Sequence, residues 1–283
     1  MNRGPVIFFS AFLAFAISFF AFVLLPQTQI GRQPLATVDG VANAYPAARP
    51  GEAHQGAEIY RANGCVTCHS QQIRQTGNVF DVVLTDAGTN LTAVLTAMNN
   101  HLNPAVEFAL TDVTNALPKT ILKAVPTKAA AEALSKKFAE AGAKTDLRVM
   151  PVGPDIARGW GLRRSVAADY LYDTPPLLGS QRVGPDLANV GMRLPDANWH
   201  LVHLYQPRAV VKDSAMPPYR YLFTTRKIGA TPSADALVFP AGFGPEAGYE
   251  VIPTDAARAL VAYLQSLRVD ASLFEAPMTA PAK

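Results

Sequence analysis

The chain has 283 residues, 49% of them hydrophobic and 17% charged, so it is long enough for one or two cored domains and too apolar to be mainly disordered. Its net charge of +3 is carried without any clustered stripe of Lys and Arg, which argues against a nucleic-acid partner. Two cysteines cannot make a disulfide framework; a bridge between them would cross a two-residue gap, which is a redox arrangement and not a staple.

Between Arg3 and Arg32 there is no charged residue, and residues 5–25, "PVIFFSAFLAFAISFFAFVLL", form an apolar run of the ~20 residues that cross a hydrocarbon core. A transmembrane anchor over residues 1–26 is predicted. A cleaved signal would have a shorter apolar region followed promptly by a small-x-small site, and here Pro26, Gln27, Thr28 and Gln29 follow instead. Arg3 ahead of the span favours a cytoplasmic start and an exported remainder. Residues 27–52 are polar and Pro-rich, without apolar period, and read as a tether.

A helix over 53–63 follows, with Gly64 at the position of a C-terminal cap, so that Cys65 lies just past a helix end. The stretch "GCVTCHS" then raises three chemistries. Zinc would need further ligands, and the nearer of His200 and His203 is 131 residues beyond His69, so only a long-range site stays open. A thioredoxin-like dithiol would follow a buried strand, none of which precedes Cys65, and would leave His69 idle. Covalent haem c accounts for all three residues: Cys65 and Cys68 form thioethers, and His69 brings an imidazole to the iron.

Residues 78–150 have their own organisation. "VFDVVLT", "KTILKAV" and "KTDLRVM" are strand-like; helices are predicted over "NLTAVLTAMNNHL", "PAVEFALTDVTNAL" and, from Thr127 as cap to Gly142, "TKAAAEALSKKFAEAGA". The order is β-α-α-β-α-β. Further on, His200 and His203 share a face of a helix over about 196–205 and are a possible bis-histidine site, although hydrogen-bonded helix histidines are commoner. Met216 stands before two prolines in "KDSAMPPYRYLF", a stiff loop suited to presenting a thioether; Met192 in "NVGMRL" is the other candidate ligand. Thr254 or Asp255 caps a last helix over 254–267, and residues 271–283 are a polar tail.

"YRANGCVTCHSQQIRQ", "GSQRVGPDLANVGMRLPDANWHLVHLYQPRAVVKDSAMPPYRYLF" and "LVAYLQSL", with the N-terminal span, closely resemble the monohaem membrane-anchored subunit (subunit II) of cbb3-type cytochrome c oxidases, over residues 1 to about 77 and about 151 to 270. The resemblance implies Met216 as the distal ligand, and Arg182, Gly184 and Pro185 in a loop packed on the haem near His69. It further implies electron relay to a haem-copper catalytic subunit alongside other cytochrome c subunits. The location implied is single-pass in the inner membrane, with the C-terminal domain on the periplasmic side. No oxygen-reducing site is expected on this chain. Arg182 and Arg208 are candidate partners for haem propionates, since guanidinium forks suit carboxylates.

One departure is plain. Such subunits pass much sooner from the haem motif to the "GPDL" segment, and the excess here, residues 78–150, resembles through "FDVVLT" and "AEALSKKFAEAGAKTDLRV" the C-terminal domain of the bacterial ribosomal stalk protein. Its fold is carried over and its role is not, because seven basic residues are matched by seven acidic ones and translation belongs to another compartment. Of the 147 positions from His69 to Met216, removing these 73 leaves 74, which suits one small pocket. The fold class expected is mainly α: an anchor helix and a cytochrome c-like haem domain (53–77 and 151–270), interrupted by a small inserted α+β domain. Two rivals stay open: a stand-alone carrier or the small cytochrome subunit of a nitric oxide reductase, and a structural or recruiting subunit acting through the insert.

Overall fold

The computed structural model describes residues 3–30, 35–36, 45–102, 108–111 and 117–279. The chain divides into two compact units, residues 1–48 with 166–176, and residues 49–165 with 177–283.

The first unit opens with a continuous apolar helix made of α1 (Gly4–Phe19), a π-helical turn (Phe20–Leu24) and α2 (Leu25–Ile30). From Gly4 to Gln29 it is 26 residues long with mean hydropathy 2.6 and nothing packed over it, long and apolar enough to cross a membrane. The wide turn directly precedes Pro26, whose ring would otherwise meet the carbonyl four residues back; this is how the helix continues past the proline to Ile30. Of the expected tether, residues 31–34 and 37–44 lie outside the described residues. Ala36 and Tyr45 form an antiparallel bridge, and the Tyr45 hydroxyl donates to Asp169 Oδ1 at 2.7 Å, which is why residues 166–176 group with the N-terminus and not with the expected haem domain.

The second unit mixes helix and strand around separate hydrophobic cores. One is built on a sheet of β1 (Gly77–Asp86), β2 (Lys119–Val125) and β3 (Lys144–Val152), ordered β2-β1-β3 and antiparallel throughout. Helices α4 (Leu91–His101) and α5 (Lys128–Glu140) cover it, burying Val82, Leu84, Val94, Met98, Ala131 and Phe138. Thr127 caps α5 by accepting from the Ala130 N–H, and Gly142, at φ 92°, ends it. The further helix predicted over 104–117 falls mostly outside the described residues.

Another core joins α3 (Gly51–Ala62) to later elements, α7 (Val190–Arg193), α8 (Ala197–Tyr205), the two-stranded ribbon β4 (Phe223–Lys227) with β5 (Tyr249–Pro253), and α9 (Asp255–Ser266), while Ile156 of a short α6 (Pro154–Ala157) packs on a smaller cluster of Ile73, Ala188 and Val269. Tyr60, Leu204, Phe223, Val251, Leu260, Tyr263 and Leu264 fill the larger of the two. The ribbon adds strand to a region expected to be helical; β4 buries only Phe223, so it carries no two-residue period to read. The C-terminal residues are also packed: Met278 is buried, and Thr279 exchanges hydrogen bonds with Val149 on the edge strand β3 at 2.9 Å each way.

Helices α3 and α9 cross at Gly56, where an added Cβ would lie 1.9 Å from the Ala259 carbonyl oxygen. Backbone cannot yield as a flexible side chain would. Gly56→Ala gains up to about 1 kcal/mol of helix propensity but should lose roughly 1–3 kcal/mol or more to the clash. The expected net result is a lower urea midpoint at unchanged m-value; a midpoint at or above the native one would contradict this crossing.

Candidate functional site

The site grows from the end of α3. Asn63 closes the helix, Gly64 turns the chain at φ 67°, and a single 3₁₀ turn, Cys65–Thr67, carries the first cysteine into the second. The Cys68 and His69 N–H groups both donate to the Cys65 carbonyl, at 3.2 and 3.0 Å, so the three motif residues share one tight loop. Both thiols are free and half-buried. Burial, followed by the neighbouring Cys68, pushes the Cys65 thiol up to about 11, the opposite of what a thiolate nucleophile or metal ligand needs. Among the described residues, no group of three or more His, Cys, Asp and Glu is gathered to hold a metal ion, so nothing assembles the long-range zinc site.

A second loop closes over the histidine. His69 Nδ1 lies 2.8 Å from the Pro185 carbonyl, which can only accept; Nδ1 therefore carries the proton and Nε2 presents a lone pair. Burial holds the imidazole below its ordinary pKa, which favours that neutral form. Gly184 permits the approach: a Cβ there would stand 2.2 Å from His69 Cε1. Its N–H donates to the Cys68 carbonyl at 3.0 Å, Leu187 N–H to Ser70 at 2.8 Å, and Gln71 N–H to Leu178 at 2.8 Å.

Arg182, in the same loop, places Nη1 at 2.7 Å from both oxygens of Asp155 and turns Nη2 to the Gln72 carbonyl and Asp186. Its fork is thus spent on carboxylates of this chain. Arg208 is exposed, with Nε donating to Ser214 O at 3.3 Å.

Met216 is half-buried and packs on the same apolar cluster as Cys65 and Val66. Met192 is 43% exposed, with its sulfur 3.1 Å from Arg268 Nη2, and does not join that cluster. His200 is buried with Nε2 2.8 Å from the Leu194 carbonyl, the hydrogen-bonded helix histidine. His203 stacks on Trp199 at 4.9 Å and 17°, and burial pushes it down to about 4. Asp155, Asp186, Ser70 and Gln71 were missed from the sequence; the one available signal was the place of Asp186 directly after the Gly184-Pro185 pair.

These donors suit a haem: two thiols on one loop, an imidazole with Nε2 bare, a thioether on the apolar cluster beside them, and a glycine that clears the ring. The model of the family described as "Cytochrome C oxidase, mono-heme subunit/FixO" matches residues 149–244. The matched stretch includes Arg182, Gly184, Pro185 and Met216; the cysteine motif precedes it. Among curated proteins, the chain is 42% identical over 69 residues to the large ribosomal subunit protein bL12 of Burkholderia vietnamiensis and 39% identical over 69 residues to that of Paraburkholderia phymatum. Each match covers 24% of this chain and 54% of the relative, so the chain spans about half the length of the curated relatives it matches.

His203 gives the site a pH dependence. Its pKa in the folded chain is below the unfolded value of 6.5, so the stability it contributes is present above pH 6.5 and is lost as pH falls towards 4. Discounting for partial exposure, a loss of roughly 1–2 kcal/mol is expected across that window. Unfolding titrations at several pH values should show His203→Phe, which keeps the stack on Trp199, flattening this limb; an equally steep limb would contradict the assignment.

Proposed function

We propose that this chain is a membrane-anchored monohaem c-type cytochrome that relays electrons to the haem-copper catalytic subunit of a cbb3-type oxidase. The observation that carries the reading is the seating of His69: Nδ1 held by Pro185 and Nε2 unprotonated, on a loop with two free thiols, in a chain similar to an oxidase mono-haem subunit over residues 149–244. Electron relay from a family match and a fitting donor set is the reading favoured over a redox dithiol, which would leave His69 without a use.

When bound, the haem supplies one-electron chemistry between ferrous and ferric iron. Cys65 and Cys68 would hold it covalently, and His69 Nε2 and Met216 Sδ would be the protein groups that ligate its iron. Pro185 fixes the imidazole tautomer and plane, and Gly184 keeps the loop flat against the ring. Arg182 serves the pocket by holding that loop. The apolar cluster behind Cys65 and Met216 excludes water, which lowers the local dielectric and makes the potential sensitive to nearby charge. The residues 53–77 and 151–270 form the haem domain in this reading, carried on the periplasmic face by the single apolar helix.

The sheet over residues 77–152 is read as an inserted domain of the ribosomal-stalk type. Its separate core supports this, as does a bL12 match of 69 residues, a length this segment can hold. It serves as a spacer or docking element towards a neighbouring subunit, without the translation role of its relatives.

Met216→Ala should keep the haem attached and lower its midpoint potential by an amount on the order of 0.1 V, since the axial ligand is a main determinant of potential. Spectroelectrochemistry of the purified chain measures it. An unchanged potential would remove Met216 from the ligand set. Co-purification with an oxygen-reducing haem-copper subunit separates the oxidase reading from a stand-alone carrier or a nitric oxide reductase subunit.

A further inference from the structure

Two buried carboxylates lie behind the histidine loop and share the guanidinium of Arg182. The side chains of Asp155 and Asp186 are 1% and 0% exposed, and Arg182, itself 18% exposed, reaches Asp155 at 2.7 Å and Asp186 at 3.4 Å. Arg158 also approaches Asp155, at 3.7 Å, from a largely exposed position. Half-buried Arg193 also donates from Nη2 to the Asp186 backbone carbonyl at 3.0 Å, so cations and anions are enclosed here together, and burying an ion is costly unless donors replace its water.

The donors are all present, and their origin is informative. Asp186 Oδ2 accepts from Ser70 Oγ at 2.6 Å and from the Gln72 N–H at 2.8 Å; Oδ1 accepts from the Ala188 N–H at 2.9 Å. Asp155 Oδ2 accepts from the Arg74 N–H at 2.7 Å. Residues 70–74 follow His69 directly, and Asp186 follows Pro185, whose carbonyl orients the imidazole. The two carboxylates therefore fasten both backbone segments between which His69 is held.

We propose that Asp186, with Asp155 acting through Arg182, is a positioning residue of the His69 site that also supplies a buried negative charge favouring the oxidised, more positive state of the group bound there. The clamp and the charge are one device: a neutral side chain could fill the space at Asp186 and accept some of the hydrogen bonds, but it would remove the field. The inference rests on the haem reading above.

The test is the midpoint potential of the full chain carrying haem, compared with Asp186→Asn and Arg182→Gln. Both variants are expected to keep covalent haem, with the potential shifted up in Asp186→Asn, which loses a negative charge, and down in Arg182→Gln, which loses a positive one. Shifts of the same sign, or none, would show a purely mechanical role and overturn the proposal. Should Asp186→Asn not fold, Asp155→Asn is expected to shift the potential up by a smaller amount, and no shift there overturns it equally. A native chain without covalent haem would overturn the functional reading itself, which is distinguishable from a haem-bearing chain whose variants do not move.

Discussion

The hydrogen bond between His69 Nδ1 and the Pro185 carbonyl is the contact on which the rest of the site depends. It joins residues 116 positions apart in sequence, decides which imidazole nitrogen is protonated and fixes the plane of the ring. It can form only because Gly184 has no Cβ to strike the ring, and because the loop is pinned at three further backbone points, Cys68, Ser70 and Gln71. Behind these pins stand Asp186 and Asp155, each taking backbone N–H groups from the strand of chain that leaves the histidine. A single bond of this kind is worth only about 1 kcal/mol, so its geometry is secured by the network and not by its own strength.

The same network explains how a second cored element is accommodated between the two halves of the site. The chain enters the sheet at Gly77 and leaves it at Val152, and β1 and β3 are neighbours, so entry and exit lie side by side. Thr76 N–H donates to the Val152 carbonyl at 2.8 Å, and Asp155, three residues past the exit, bonds back to Arg74. The base of the sheet is thereby closed, with the backbone leaving at Val152 beside the point where it entered at Gly77. Thr279 adds a further tie at the open edge of β3, so that edge is covered in part and not left as a template for pairing.

Much of this was legible in the sequence. Periodicity and caps gave five helices after the anchor region, α3, α4, α5, α8 and α9, the three strands of the sheet and the capping role of Thr127, because these helices bury one face and end on residues with a specific backbone task. The motif and the Gly-Pro loop pointed to each other through resemblance. What could not be read was pairing at a distance. Asp155 and Asp186 look like ordinary surface acids until folding encloses them, and Arg182 resembled a partner for a bound carboxylate until its fork was found on two carboxylates of its own chain. The ribbon β4–β5 was invisible because its strands are joined by a long loop and β4 faces solvent along most of its length.

Electron relay by this chain depends on the attachment of haem to Cys65 and Cys68. The most direct measurement is the alkaline pyridine spectrum of the purified chain after denaturation, with the same spectrum taken on Cys65→Ser, Cys68→Ser. The expected result is the spectrum of a haem bound through two thioethers in the native chain and no retained haem in the double variant. A denatured native chain that gives up all its haem to solvent, or never held any, would contradict the account.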